Sequence, residues 1–276
     1  MKIEEETLNV FGQRLHHLTL HPESNPRGGL VFFHGQGDFI DRYPYILKPF
    51  VDAGLKCLLT ELPGHGRSPG KRGHIPNLGF VDQILDASLE KIEGPVTIAG
   101  HSMGGLMTLR LLITNPGLFK NAWISSPLLD PMHQAKPWMR AILPCLAPLL
   151  PRVTVNTGVT GEDCRDDSAQ SEPSSTQLHH SRISLVWGRA LSLTAEEVNE
   201  KFTQLPSATK LLFTQGKDDR ICPPKFLRER LLNITHPAIT YEEIPGARHE
   251  PFGGSTGNEV AKIITLWLAQ TASIVS

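Results

Sequence analysis

Along most of this chain, short apolar runs alternate with stretches of helical period. That rhythm restricts the fold to a largely parallel sheet covered by helices. The apolar runs are Leu30 to Phe33, Lys56 to Leu62, Val96 to Ala99, Ala122 to Ser126, Lys210 to Thr214 and Ile239 to Ile244. Between them, helices are predicted around Tyr43 to Ala53 (stopped by Gly54), Leu78 to Ile92 and onward from Ser102 to about Asn115. A last helix over about Asn258 to Ala269 sets Val260, Ile263, Ile264, Trp267 and Leu268 at helical spacing. Only the opening differs. Thr7 to Val10 and Leu15 to Leu20 flank Phe11-Gly12-Gln13, which predicts a β-hairpin.

The rhythm breaks between Pro127 and Pro206. Five prolines (Pro131, Pro137, Pro144, Pro148, Pro151) are followed by a polar stretch from Thr160 to Thr176 and helical sequence from Ser184 on. This predicts a core formed by residues 1–126 and 207–276, with residues 127–206 inserted as a mainly helical cap or lid. At 276 residues, one such core with one insertion is an ordinary size.

The most informative motif is Gly100-His101-Ser102-Met103-Gly104, a G-x-S-x-G that follows an apolar strand and opens a helix. Such a turn is so sharp that side chains two positions either side of Ser102 would collide, so glycine is needed at 100 and 104. It would hold the Ser102 hydroxyl clear of the sheet, at the positive end of the next helix. Glycine-rich strand-to-helix turns also bind phosphates. The strand and helix context favours Ser102 as a nucleophile.

A serine hydroxyl needs a base, and the base needs an acid; in this arrangement they follow in the order Ser, Asp or Glu, His. His249 lies in a loop just after the final predicted strand, at the sheet edge that the elbow occupies. His236 precedes that strand and belongs to the opposite edge; His179 and His180 fall in the insertion. The acid is expected after the strand Lys210 to Thr214, where Asp218 and Asp219 compete. For the charge that develops on an attacked carbonyl, the expected donors are the backbone N–H groups of Met103 and of Gln36 in His34-Gly35-Gln36-Gly37.

Composition excludes other classes. There are 27 basic and 28 acidic residues, a net charge of -1, so nothing attracts nucleic acid or an anionic membrane in general. The four cysteines, Cys57, Cys145, Cys164 and Cys222, form no C-x-x-C pair and read as reduced thiols, with no metal or cofactor implied. The acidic start lacks an apolar run, and no apolar stretch reaches membrane-spanning length, so a cytoplasmic protein is expected.

Taken together, these motifs resemble the monoacylglycerol lipase and lysophospholipase branch of the α/β-hydrolases, grouped with serine aminopeptidase-type hydrolases. The resemblance rests on the loop at His34 to Gly37, Gly64-His65-Gly66-Arg67-Ser68, the run at 100–105, Ser125-Ser126-Pro127 and Gly216 through Arg220, and it extends from Gly29 to Leu268. It implies an α/β-hydrolase fold, Asp219 (the Asp directly before Arg) as the acid, His249 as the base, and a helical cap. This chain departs from the pattern at Glu61, where Asp is usual, in a short stretch between Ser68 and the elbow, and in the polar segment around Asp167 to Thr176.

The expected function is hydrolysis of a carboxylic ester, a monoacylglycerol or lysophospholipid, through an acyl-Ser102 intermediate. The alternatives are amide or aminopeptidase action, which needs a carboxylate such as Glu162 or Asp163 to hold a free amine, acyl transfer, and a catalytically silent ligand-binding fold. Trp138, Met139, Ile142, Leu143, Leu146, Leu149 and Leu150 crowd one short stretch of the insertion. They either pack down onto the sheet or, as the resemblance implies, line an acyl-chain pocket or make peripheral contact with a membrane.

Overall fold

The computed structural model describes residues 1–165 and 178–272. Eight strands form one sheet in the order β1-β2-β4-β3-β5-β6-β9-β10. The antiparallel hairpin β1 (Lys2–Val10) and β2 (Gln13–His21) forms one edge, with Phe11 and Gly12 at the turn both at positive φ. From β4 (Leu55–Thr60) through β3 (Gly28–Phe33), β5 (Val96–His101), β6 (Phe119–Ser125), β9 (Lys210–Gly216) and β10 (Ile239–Ile244), every neighbouring pair is parallel. The α/β-hydrolase fold read from the sequence is the one observed.

Helices cover both faces because the strands are apolar on both. Every residue of β3 and β5 is buried, and alternate side chains go to opposite cores. Val31, Phe33, Ile98, Ile124 and Phe213 pack against α2 (Gly79–Leu89) and α3 (Met103–Thr114). Leu30, Phe32, Trp123 and Leu212 pack against α1 (Pro44–Asp52) and the last helix (Gly257–Ala272). Pro44 opens α1 and Gly54, at φ +87°, follows its end, an asymmetry that fixes where the helix starts and stops. Parallel strands deliver all their carboxyl ends to one rim, and the loops after β3, β5, β9 and β10 meet there.

Between β6 and β9 lie α4 (Pro137–Leu146), β7 (Thr154–Asn156), α5 (Gly161–Cys164), β8 (Arg182–Ser184) and α6 (Leu185–Glu200). The sequence suggested a mainly helical insertion and not another sheet layer; beside its helices, β7 and β8 pair as a small antiparallel ribbon, Thr154 opposite Ser184. Ser184 caps α6 by accepting a hydrogen bond from the Trp187 N–H. Trp187, Leu191, Ala195 and Val198 of α6 belong to the same core as α2 and α3. By contrast, α4 has no buried residue at all. The segment around Asp167 to Thr176 lies outside the described residues. Among those described, no helix is long and apolar enough to cross a membrane.

Candidate active site

Ser102 sits at the turn between β5 and α3 with φ 55° and ψ -115°, a conformation that side-chain-bearing residues rarely adopt. The backbone there is over-determined. A Cβ on Gly100 would lie 2.2 Å from the Gly104 carbonyl oxygen, and one on Gly104 would lie 1.9 Å from the Phe33 carbonyl oxygen. So Gly100 is constrained within the elbow, but Gly104 is constrained by close approach to β3, not by Ser102 itself. Main-chain bonds from Ser102 N–H to the Ser125 carbonyl and from Leu128 N–H to the Ser102 carbonyl hold the turn.

The Ser102 hydroxyl is 2.9 Å from His249 Nε2, and His249 Nδ1 is 2.9 Å from Asp219 Oδ2. All three residues are buried, at 6%, 5% and 4% exposure. With its proton on Nδ1, the imidazole donates to Asp219 and accepts from the hydroxyl. Asp219 is fixed by three further donors: Gln215 Nε2 at 2.8 Å on Oδ2, and the Ile221 and Cys222 N–H groups, each at 2.8 Å on Oδ1. Asp218 is exposed and contributes its N–H to the Ala247 carbonyl instead. Burial disfavours a charged imidazole, but the Asp219 carboxylate outweighs it and raises the His249 pKa well above its ordinary value. The His101 ring lies against His249 with centroids 4.8 Å apart and planes tilted by 49°; burial, and then the charge on His249, lower its pKa well below the ordinary value. The Cys222 thiol also adjoins this group, its pKa raised by burial.

The N–H groups of Gln36 and Met103 have no acceptor among the described residues. Gly35, Gln36, His101, Ser102 and His249 line a cavity of about 450 Å³. The Met103 side chain is turned away from the cavity and buried against Trp187. The Gln36 side chain faces the insertion, donating to the Arg182 carbonyl at 2.9 Å and accepting from Trp187 Nε1 at 3.1 Å. Of the competing histidines, His236 lies at the far edge against the Pro206 carbonyl, whereas His179 and His180 reach the cavity wall. His180 is pinned there by its N–H on the Gly37 carbonyl and its ring on the Gly64 carbonyl.

Two charged clusters around the site carry no sequence motif of their own. Glu250, next to His249, receives the Arg42 guanidinium and Arg165 Nε at 3.1 Å; Arg42 also reaches Asp38 at 2.8 Å, and the Tyr43 hydroxyl donates to Asp38. The His249 loop is further held by the short α5 turn, through Glu250 N–H to the Cys164 carbonyl and Arg248 Nη1 to the Glu162 and Arg165 carbonyls. Glu61, where the sequence departs from the usual Asp, is fully buried. It accepts from the N–H groups of Ile40, Arg67 and Ser68, tying the Gly64 to Ser68 loop to the segment before α1.

The serine aminopeptidase S33 family matches residues 24–255. The chain belongs to that family. As a member of it, this hydrolase is 26% identical to a monoacylglycerol lipase of Mycolicibacterium smegmatis over 96% of both chains. It is 25% identical to the phospholipase YtpA of Bacillus subtilis, over 86% of this chain and 93% of that one. Among solved structures, the monoacylglycerol lipase of Paleococcus ferrophilus superposes with a TM-score of 0.83 at 27% identity, covering 93% of this chain and 99% of the other. The S33 hydrolase described here is thus an α/β-hydrolase of the monoacylglycerol lipase-like branch.

Proposed function

We propose that this protein hydrolyses carboxylic esters of the monoacylglycerol or lysophospholipid type, with Ser102 as nucleophile, His249 as base and Asp219 as the acid that orients it. The observation that carries the reading is the unbroken relay from hydroxyl to imidazole to carboxylate, its first bond opening on a cavity. The Ser102 proton passes to His249 Nε2 as Oγ bonds to the acyl carbon. The Gln36 and Met103 N–H groups receive the oxyanion; losing one such donor typically costs about 2.7–4 kcal/mol. The imidazolium, held in place by Asp219, then protonates the leaving alkoxide as its bond to the acyl carbon breaks. Water, activated by the same imidazole, releases the acid and restores Ser102.

Similarity to the monoacylglycerol lipases of Mycolicibacterium smegmatis and Paleococcus ferrophilus and to the phospholipase YtpA supports an ester substrate with an acyl chain. The inserted segment fits a cap role, since Met139, Leu143 and Pro144 of α4 and Leu185 and Leu191 of α6 supply much of the apolar wall. On the same helix α4, Trp138 and Ile142 are exposed, and Leu149 just beyond it is 76% exposed. Those side chains would meet the surface of a lipid aggregate. Aminopeptidase action finds less support: neither Glu162 nor Asp163 lines the cavity, and the carboxylates that do, Asp38, Asp130 and Glu250, each face an arginine already. The test is a panel of monoacylglycerols, lysophospholipids and aminoacyl amides. Wild type should cleave the first two classes and Ser102→Ala none; turnover of amides alone would overturn the proposal.

A further inference from the structure

The charged residues that line the cavity are Asp38, Asp130, Lys136, Arg189 and Glu250. Each of the three acids already has a cation. Asp38 holds Arg42, Glu250 holds Arg42 and Arg165, and Asp130 lies 3.7 Å from Arg140. The two cations have no such answer. Among the described residues, no carboxylate comes within 4.0 Å of the Lys136 or Arg189 side chain, and neither makes a side-chain hydrogen bond. Lys136 stands immediately before α4 and Arg189 in the second turn of α6, two helices that pack together. Both line the same cavity as Met139, Leu143 and Leu185, so among the described residues an apolar wall carries two positive charges without a carboxylate partner.

Resting on the ester-hydrolase reading above, we infer that the cavity selects acyl esters that also carry an anionic group, a phosphate or a carboxylate, held by Lys136 and Arg189. A neutral monoacylglycerol fills the apolar wall but leaves both cations without a counter-charge. An anionic ester supplies a counter-charge to both and is attracted by the two cations. Because both side chains are exposed, each contact is weakened by water, so the expected discrimination is modest.

The experiment compares matched octanoyl esters, kept monomeric so that recruitment to a charged surface plays no part. These are octanoylglycerol, octanoylglycerol 3-phosphate and octanoyl lactate, assayed with wild type and K136Q/R189Q. Wild type should show kcat/KM about fivefold to tenfold higher for one or both anionic esters, and the faster of the two identifies the anion. The preference should shrink as salt rises to about 0.5 M. The double variant should lose the preference while its rate on octanoylglycerol holds. Equal wild-type rates on all three esters, or equal losses on all three in the variant, overturn the inference and leave the ester-hydrolase reading standing. No turnover of any ester by folded wild type would defeat that reading, and this inference with it.

Discussion

The rim of the sheet and the inserted segment solve opposite problems. At the rim, main chain meets main chain: Gly104 is pressed against Phe33, and Gly216 against the Arg248 carbonyl, where a Cβ would lie 1.8 Å away. Ser102 and Asp219 hang on that packing through backbone bonds, so their positions leave little room for side-chain choice. In α4 nothing is buried, and its side chains divide between the cavity and solvent. The rim is held by main-chain contacts that leave little freedom, while α4 carries few packing constraints; on the proposed function, the first would fix the reacting groups and the second would shape what enters.

The largest effect is expected at the relay. Asp219→Asn should lower kcat by roughly 10⁴-fold, as loss of the acid does in comparable relays. The pH profile should move too. Only the neutral imidazole acts as base, so activity falls as pH drops through the His249 pKa. With Asp219 present that pKa lies well above the ordinary 6.5; without the carboxylate, the acid limb should shift to lower pH. A variant with near-normal kcat and an unmoved limb would show that the acid is elsewhere.

Next in size is the rigidity of the rim. Gly104→Ala places a methyl 1.9 Å from the Phe33 oxygen and should lower Tm on the order of 10 °C or prevent soluble expression. The matched change in the other region, Leu149→Ser, alters a side chain that is 76% exposed and should move Tm by no more than about 2 °C. Similar shifts for the two would erase the distinction.

Smaller again is the effect of trimming the wall. Met139→Ala with Leu143→Ala should cut kcat/KM on a long-chain p-nitrophenyl ester about tenfold, because each methylene contact is worth about 0.8 kcal/mol. The short-chain ester should change by less than about twofold. Equal losses on both would mean that these residues support the fold and not the acyl chain.

The same division explains what could be read from sequence. The strands β3, β5 and β9, the opening hairpin and the elbow are legible because local backbone demands dictate their residues: apolar runs, a glycine on each side of Ser102, a histidine just after the last strand. Residues 147 positions apart, Ser102 and His249, could be paired because parallel strands end at one rim. What stayed hidden depends on contacts with no period. The β7–β8 ribbon is only three residues per strand, too short to show alternation. Glu250, Arg42 and Arg165 come from distant segments and meet only after folding. For Glu61 there was a signal, an acidic residue inside an apolar strand-to-loop run, but three waiting N–H donors cannot be seen from composition.

Whether Ser102 Oγ forms the bond to substrate is read by reacting the folded chain with a fluorophosphonate and locating the adduct by peptide mass spectrometry. A single phosphonylated site at Ser102 is expected, formed slowly in Asp219→Asn and not at all in Ser102→Ala. An adduct on another residue, or none on folded wild type, would contradict it.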